Sequence, residues 1–352
     1  MTPDYPAKKH YLILDGLRGV AALVIVIFHF MEVIITDFTK NIIAHGYLAV
    51  DFFFCLSGFV IAYAYDDRMS SMRMGSFFKQ RLKRLHPLVI LGTVLGLLAF
   101  LFDPFSNAAS GYSFLQISLL FITSALLIPY PVMEDRYLNL FGLNAPAWSL
   151  FWEYVANIFY ALVLVKLHKK WLLLLAFISA LLIVYITYTA GSLVGGWNGE
   201  TFWHGGARML FSFTTGMCIM RYGFFIKNRL GFGGLSVLLI AAFLAPYNLA
   251  SNPVVEPFIV LIYFPFLIAL GAGSILPSKQ AHICRLSGNI SYPLYITHYF
   301  VLWAFGSYYS TTNPSTGTLT IVVMALIMLQ LLVAWLAMKY YDRPIRKKLQ
   351  YK

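Results

Sequence analysis

The chain has 352 residues, of which 60% are hydrophobic and only 11% are charged. Soluble proteins carry about 25% charged residues, so this composition excludes an ordinary soluble protein. The net charge of +12 would suit nucleic-acid binding in a soluble chain, but basic residues also collect in the cytoplasmic loops of membrane proteins. We therefore predict an integral-membrane protein of one domain, residues 1–352, with the lipid bilayer as its surroundings and no nucleic-acid partner.

Apolar segments, each close to the length needed to cross a bilayer, follow one another along the chain. In order they are residues 11–36, 46–65, 87–102, 114–130, 148–165, 171–189, 207–220, 231–247, 257–275, 290–307 and 318–338. The fourth contains Pro129 and is followed by Pro131, which suits an element that is broken in or beside the membrane. The predicted fold is all-α, a polytopic bundle of membrane helices.

The basic residues indicate which segments cross. Lys8 and Lys9, the basic stretch 66–86, the later basic turns and the basic C-terminal tail fall on one side if segment 114–130 does not cross. If that segment crossed, the later basic loops would face outward, against the rule that such loops stay in the cytoplasm. The sequence thus predicts ten transmembrane helices, both termini cytoplasmic, and a re-entrant or interfacial segment at 114–130.

The first apolar segment contains four ionisable residues, Asp15, Arg18, His29 and Glu32. At 100° per residue they share one helix face about 100° wide. Ionisable groups inside a span are costly and indicate function by default. His29 is the best candidate for chemistry because imidazole exchanges a proton near neutral pH. For Asp15, a structural role as the ion-pair partner of Arg18, three residues away, has the same support as a functional role.

Further polar residues are expected near the outer face. Glu153 is predicted at a depth similar to that of His29. Asp51 and Arg208 are expected to bind a polar acceptor there, and Trp148 could offer a ring face, although tryptophans also mark membrane interfaces without binding a ligand. Ser57 is interpreted as a helix-packing residue because no base lies beside it in the sequence.

Six short motifs, in order and over nearly the whole chain, carry a resemblance to a known family. They are Arg18 to His29, the segment Gly46 to Phe59, Arg81 and Arg84 before Pro87, Trp148-Ser149-Leu150 with Glu153, the segment Ser291 to His298, and Asp342-Arg343-Pro344. In these motifs the sequence resembles the acyltransferase-3 family of integral-membrane acyltransferases. Asp342 stands where Glu is common in that family.

The resemblance implies an acyl-CoA donor, most often acetyl-CoA, and a carbohydrate hydroxyl as acceptor, in a bacterial plasma (inner) membrane. Arg81 and Arg84 are then the expected ligands of the CoA phosphates, because clustered guanidinium groups suit phosphate. His29 is expected to act as general base or acyl carrier, supported by Arg18 and Glu153. His298 is expected in the donor channel, nearer Arg18 than His29, or in an ordinary interhelical hydrogen bond.

Other functions stay open on the sequence. A transporter or flippase would use the same buried polar stripe as a relay. A lipid-linked glycosyltransferase would prefer paired carboxylates and a metal. The adjacent acidic residues Asp66 and Asp67 are explained more simply as a cap at a helix end. No permanently bound cofactor, no metal and no attached SGNH esterase-like domain are expected. The acceptor, the acyl chain length and the oligomeric state are not predicted.

Overall fold

The computed structural model describes residues 10–350. Lys8 and Lys9, which contributed to the predicted cytoplasmic N-terminus, lie outside the described residues. Within that range the chain is helical, and its β-type pairing consists of isolated bridges such as Asn139 with Asn198. The all-α prediction is confirmed.

The helices follow the apolar segments in chain order. They are α1 (Leu12–Ile34), α2 (Ala49–Tyr65), α3 (Met74–Leu101), α4 (Phe114–Ala125), α5 (Ala147–Leu162), α6 (Lys169–Ala190), α7 (Phe202–Tyr222), α8 (Gly231–Phe243), α9 (Asn252–Pro257), α10 (Phe264–Gly273), α11 (Ser278–Thr297), α12 (Tyr299–Thr312), α13 (Thr316–Leu336) and α14 (Arg343–Gln350). A π-helix, Phe258–Tyr263, joins α9 to α10, and another, Ala337–Asp342, joins α13 to α14. Such widened turns are frequent at functional sites.

In the described part of the chain, six helical stretches are long and apolar enough to cross a membrane. They are Leu12–Ile34, Ala44–Tyr65, Met74–Leu101, Lys169–Ala190, Asn252–Gly273 and Thr316–Leu349. Helices α5, α7 and α8 and the consecutive pair α11–α12 would have to supply the other four crossings. The total of ten crossings and the location of the termini stay predictions.

Helix α4 covers only part of the segment 114–130. Its 12 residues, Phe114–Ala125, rise about 18 Å, which is short of the roughly 30 Å of a hydrocarbon core. Ser113 and Gln116 form a capping box at its start, and Leu120 packs with Phe100 of α3. This length fits the prediction that the segment does not fully cross.

Close helix contacts through glycine position the polar residues. A Cβ on Gly19 of α1 would lie 2.0 Å from the Ser287 hydroxyl of α11, and one on Gly58 of α2 would lie 1.9 Å from the Phe213 carbonyl of α7. Small residues allow such approach between membrane helices. The first contact sets α1 against α11, which carries Ser291 and ends just before His298. The second sets α2 against α7, which carries Arg208.

Candidate active site

A cavity of about 390 Å³ lies between α1, α2, α3, α5, α11 and the C-terminal segment. Its charged lining residues are Arg18, Arg81, Arg84, Glu153, Asp342, Arg343, Arg346 and Lys347. Arg84, Arg343 and Lys347 are exposed, so the basic end is the open one. The walls are largely apolar and include Val50, Phe53, Phe54, Leu56 and Leu150. A cavity with a cationic mouth and apolar walls suits a ligand with an anionic head and a slender, uncharged arm.

Arg18 lies at the contact between α1 and α11. Its Nε donates to the Ser291 hydroxyl at 2.8 Å, and one terminal nitrogen donates to the Gly288 carbonyl at 3.0 Å. The same nitrogen is 3.3 Å from Asp15 Oδ1, so the pairing of Asp15 with Arg18 is present. Arg18 nevertheless lines the cavity. The contacts hold the guanidinium in one place while leaving it beside the cavity.

Glu153 receives hydrogen bonds from two other helices. Arg81 of α3 lies 3.0 Å from Glu153 Oε1, and the hydroxyl of Ser57 of α2 donates to the same oxygen at 2.6 Å. Asn157 donates to the Glu153 backbone carbonyl at 2.6 Å. Arg81 Nε is buried and has no hydrogen-bond partner among the described residues. This charged cluster lines the cavity and has a donor that these contacts do not use.

These contacts bear on three interpretations made from the sequence. Glu153 lies beside Arg81 in the basic cavity, and in the described part of the chain His29 is not among the residues that line this cavity. Ser57 is not a packing residue; its neighbour Gly58 makes the close contact, and the Ser57 hydroxyl faces a carboxylate. The expected phosphate-binding pair is also divided, since Arg81 is buried against Glu153 whereas Arg84 is exposed at the mouth.

The sequence contains a pattern that could have identified Ser57 as a cavity-lining residue. The residues of α2 that line the cavity are Val50, Phe53, Phe54, Leu56, Ser57, Val60 and Ile61. Most of them recur at intervals of three and four, which defines one face of a helix. Ser57 is the polar residue in the middle of this face, so the pattern could have separated it from its packing neighbour.

A second cluster surrounds His29. Its ring stacks on His298, with centroids 5.4 Å apart and planes at 23°, and Tyr299 meets it edge-on at 4.9 Å. Glu32 Oε1 is 3.2 Å from His29 Nδ1, although the two are not aligned as a hydrogen bond. His298 therefore lies beside His29, and the expectation that it is nearer Arg18 is wrong. It is not among the residues lining the cavity in the described part of the chain.

The protonation of the His298 ring follows from its contacts. Nδ1 is 2.7 Å from the Tyr295 carbonyl, which can only accept, so Nδ1 carries the hydrogen when the ring is neutral. Nε2 is then a basic nitrogen, and it is buried with no hydrogen-bond partner in residues 10–350. Buried polar atoms of this kind call for a ligand, an ion or a water molecule. Within the histidine pair, His298 Nε2 is thus a base whose hydrogen-bonding position is unfilled among the described residues.

Tyr295 separates the cavity from the histidine pair. Its hydroxyl shares a 2.7 Å hydrogen bond with Ser149, and its ring contacts Phe53 at 5.3 Å. All three residues line the cavity. The ring of Tyr295 is 5.9 Å from that of His298. One layer of side chains therefore lies between the end of the cavity and the stacked imidazoles.

Beyond His29, the aromatic contacts continue to a cation that sequence reasoning did not select. Tyr299 packs edge-on against Trp303 at 5.2 Å, and the Arg136 guanidinium lies 4.2 Å from the Trp303 ring centroid. Burial lowers the pKa of Arg136, and the nearby Asp135 carboxylate opposes that change. Tyr137, which follows, is exposed and has a φ of 54°, a strained value for a residue with a side chain. Tyr137 is thus a strained, exposed residue that follows Arg136 at the end of this series of aromatic contacts.

Asp51 and Arg208, the predicted acceptor ligands, bind each other. Arg208 donates to Asp51 through Nε and a terminal nitrogen, the shortest distance being 2.6 Å, and to the carbonyls of Gly195 and Tyr47. The guanidinium lies 5.4 Å from the ring centroid of Trp148. Both charged side chains are completely enclosed. These contacts favour a structural role for Asp51 and Arg208. Binding of an acceptor by these two residues stays a prediction, and neither side chain has exposed surface that would support it.

Another buried carboxylate was not recognised in the sequence. Glu256 accepts from the Tyr47 hydroxyl and from the Leu193 backbone N–H, each at 2.5 Å, and His45 Nε2 lies 3.6 Å away. At the other end of α2, Asp66 accepts from Arg221 at 2.7 Å and from Tyr160 at 2.9 Å. Both carboxylates connect separate helices, and no spacing along the chain signals either partnership.

Comparison with known proteins places the chain among acyltransferases. A family model described as an acyltransferase domain matches residues 11–338. A relative named as protein 2 in the picA locus of Rhizobium radiobacter is 37% identical over 166 residues, which are 44% of this chain and 82% of that protein.

Two other relatives align over less of their length. The acyltransferase MdmB of Streptomyces mycarofaciens is 31% identical over 149 residues, 40% of this chain and 36% of that protein. A Staphylococcus aureus protein named as a candidate O-acetyltransferase is 37% identical over 91 residues, 25% of this chain and 14% of that protein. No solved structure matches the chain significantly. Since the family model covers almost the whole described chain, the protein belongs to the acyltransferase-3 family.

Proposed function

We propose that the protein is a membrane O-acyltransferase that moves an acyl group, most simply acetyl, from cytoplasmic acyl-CoA to a hydroxyl of a carbohydrate at the outer face. One observation carries the proposal: the cavity begins at exposed cations and ends at Tyr295, whose ring contacts His298 of the histidine pair. Family membership and the printed name of the Staphylococcus relative support the acyl-transfer and O-acetyl parts respectively.

In this proposal the donor enters from the basic mouth. Phosphate groups bind the guanidinium groups there, while the slender pantetheine arm extends along the apolar wall past Arg18. Arg18 and His29 are about 16 Å apart along α1, and the arm has to cover this interval. Tyr295 then has to move aside so that the thioester reaches the imidazoles.

The transfer step uses His29 as general base. With a proton on Nδ1 facing Glu32, His29 Nε2 takes the proton of the acceptor hydroxyl while the hydroxyl oxygen attacks the thioester carbonyl carbon. The carbon–sulfur bond breaks, the ester forms, and the CoA thiolate leaves and takes up the proton from the imidazolium. His298, stacked on His29, is a second base available for the same proton. The acceptor approaches across Tyr299 and Trp303.

The test measures release of CoA thiol from acetyl-CoA by the purified protein in nanodiscs with a glycan extract. His29→Gln is expected to reduce acceptor-dependent release by 10²-fold or more, as for loss of a general base. His282→Gln, at an exposed position of α11, is the matched control and should behave as wild type. Wild-type release in His29→Gln would contradict the mechanism.

Isotope exchange distinguishes direct transfer from transfer through an acyl-histidine intermediate. A transport assay distinguishes acyl transfer from transport. An acyl-histidine intermediate would exchange labelled CoA into acetyl-CoA without any acceptor, whereas direct transfer would not. A transporter or flippase would move glycan across vesicles without consuming acetyl-CoA. Glycan movement without thiol release would therefore contradict the proposed function.

A further inference from the structure

A second cavity adjoins the first on the basic side of the bundle. Its volume is about 610 Å³, and it shares Arg84 and Arg346 with the first cavity. The lining residues are Tyr65, Ser76, Lys79, Gln80, Lys83, Arg84 and Arg346. Four of these side chains are basic, and in the described residues no carboxylate lines this cavity. Like charges gathered in one concave site gain stability from a bound anion.

Helices α3 and α14 supply the basic side chains of this site. Ser76, Lys79, Gln80 and Lys83 recur on α3 at intervals that place them on one face. Helix α14 supplies Arg346 from the other side, and the Lys83 amine donates to the Leu349 carbonyl, which ties α14 to α3.

Asp342 orients Arg346. Two Arg346 nitrogens contact the two Asp342 oxygens at 2.7 Å each, one turn apart on the same segment. A guanidinium fixed in this way is prearranged to bind an oxyanion with its remaining N–H groups. The acidic residue of the Asp342-Arg343-Pro344 motif therefore has a positioning function.

We propose that this second cavity binds the 3′-phosphorylated nucleotide end of CoA, with Lys83 and Arg346 on the 3′-phosphate and Arg84 at the junction near the pyrophosphate. The inference rests on the proposed function and deepens it. The two cavities meet at Arg84 and Arg346, which matches a ligand whose polyanionic end continues into an uncharged arm. A phosphomonoester carries close to two negative charges at neutral pH, so it gains most from clustered cations. The C-terminal helix thus becomes a specificity element for the donor.

The experiment compares the affinities of CoA and dephospho-CoA, which lacks only the 3′-phosphate, for the full protein in zwitterionic nanodiscs. Wild type is expected to bind CoA roughly tenfold or more tightly than dephospho-CoA, the difference that charge-assisted hydrogen bonds supply. Lys83→Gln with Arg346→Gln should reduce that ratio to within about twofold, because the affinity for CoA falls more than the affinity for dephospho-CoA. Lys348→Gln, an exposed α14 residue outside both cavity linings, is the control.

Two results would overturn the inference alone. One is a wild type that binds CoA and dephospho-CoA equally; the other is a preference that survives in the double variant. Nanodiscs containing phosphatidylglycerol test the other source of phosphate. If that lipid is retained through Lys83 and Arg346 while the two nucleotides bind equally, the cavity is a lipid-headgroup site. If neither nucleotide binds in zwitterionic nanodiscs, the proposed acyl-CoA function itself fails.

Discussion

Among the arginine–carboxylate pairs that connect helices of this bundle, Arg208–Asp51 and Arg81–Glu153 differ in how completely their hydrogen bonds are made. Arg208 and Asp51 share several hydrogen bonds, two backbone carbonyls accept from the same guanidinium, and both side chains are at most 2% exposed. Arg81 and Glu153 share a single contact of 3.0 Å, the carboxylate is 14% exposed, and Arg81 Nε has no partner.

The difference shows that a buried charge does not by itself identify an active site. A pair whose donors are bonded and whose surroundings are filled holds helices together. A pair with unfilled positions that borders a cavity can bind a ligand or adjust to one. By this criterion Asp51 and Arg208 connect α2 to α7, whereas Glu153 and Arg81 belong with the donor cavity.

The largest effect is expected from Asp51→Asn. The change leaves Arg208 as an uncompensated buried cation and should lower the stability of the folded protein by about 3–5 kcal/mol. Thermal unfolding in detergent can be followed with a thiol-reactive dye, because Cys55, Cys218 and Cys284 are all buried in the folded state. Unchanged unfolding would mean that the pair is not structural and would reopen Asp51 as an acceptor ligand.

A smaller effect is expected when both charges of that pair are removed together. Asp51→Leu with Arg208→Met leaves no buried charge, but the carbonyls of Tyr47 and Gly195 lose their donor, at a cost of about 2 kcal/mol. The double variant should therefore unfold at a higher temperature than Asp51→Asn and should retain acyl transfer. Additive losses from the two single changes would contradict the assigned pairing.

The activity of the Glu153→Gln variant tests the Arg81–Glu153 pair. The amide keeps the shape and the contact with Ser57 but removes the charge that fixes Arg81 beside the cavity. We expect kcat/KM for acyl-CoA to fall on the order of tenfold, with a stability change of less than about 1 kcal/mol. A large loss of stability with normal turnover in the surviving protein would place Glu153 with the structural pairs.

The smallest effect is expected from Ser57→Ala. Loss of one hydrogen bond to Glu153 should lower kcat/KM about threefold to fivefold, which corresponds to roughly 1 kcal/mol. Ser179→Ala is a matched control for serine removal, because the Ser179 hydroxyl donates to the carbonyls of Leu175 and Ala176 in its own helix, α6. A complete loss of transfer in Ser57→Ala would indicate instead that the hydroxyl itself takes part in the chemistry.

The sequence predicted the features that depend on positions within one helix. The shared face of Arg18 and His29 and the Asp15–Arg18 contact follow from helical periodicity. The expectation that segment 114–130 does not fully cross rests on the charges of the later loops and on its prolines, and the short α4 fits it. The alignment of different helices could not be predicted. His298 was placed too near the basic side because its depth was counted from an apolar segment starting at 290, whereas α11 begins at Ser278.

The register between α1 and α11 explains the correct position. Arg18 bonds to Ser291, and His298, seven residues further on at the C-terminal end of α11, is about 10 Å further along toward His29. Likewise, nothing in the spacing of Ser57, Arg81 and Glu153 indicates that three helices bring them to one oxygen atom. Such partnerships arise from tertiary packing, which glycine contacts such as Gly19 with Ser287 determine.

The Tyr295 layer has a consequence for the membrane as well as for the reaction. A protein that receives one reactant from each side of a bilayer risks becoming a leak for protons and small ions. Here the ring of Tyr295, held by Ser149 and packed on Phe53, closes the inner end of the cavity with aromatic surface. Under the proposed function, the same side chain that must move for each turnover insulates the electrochemical gradient between turnovers.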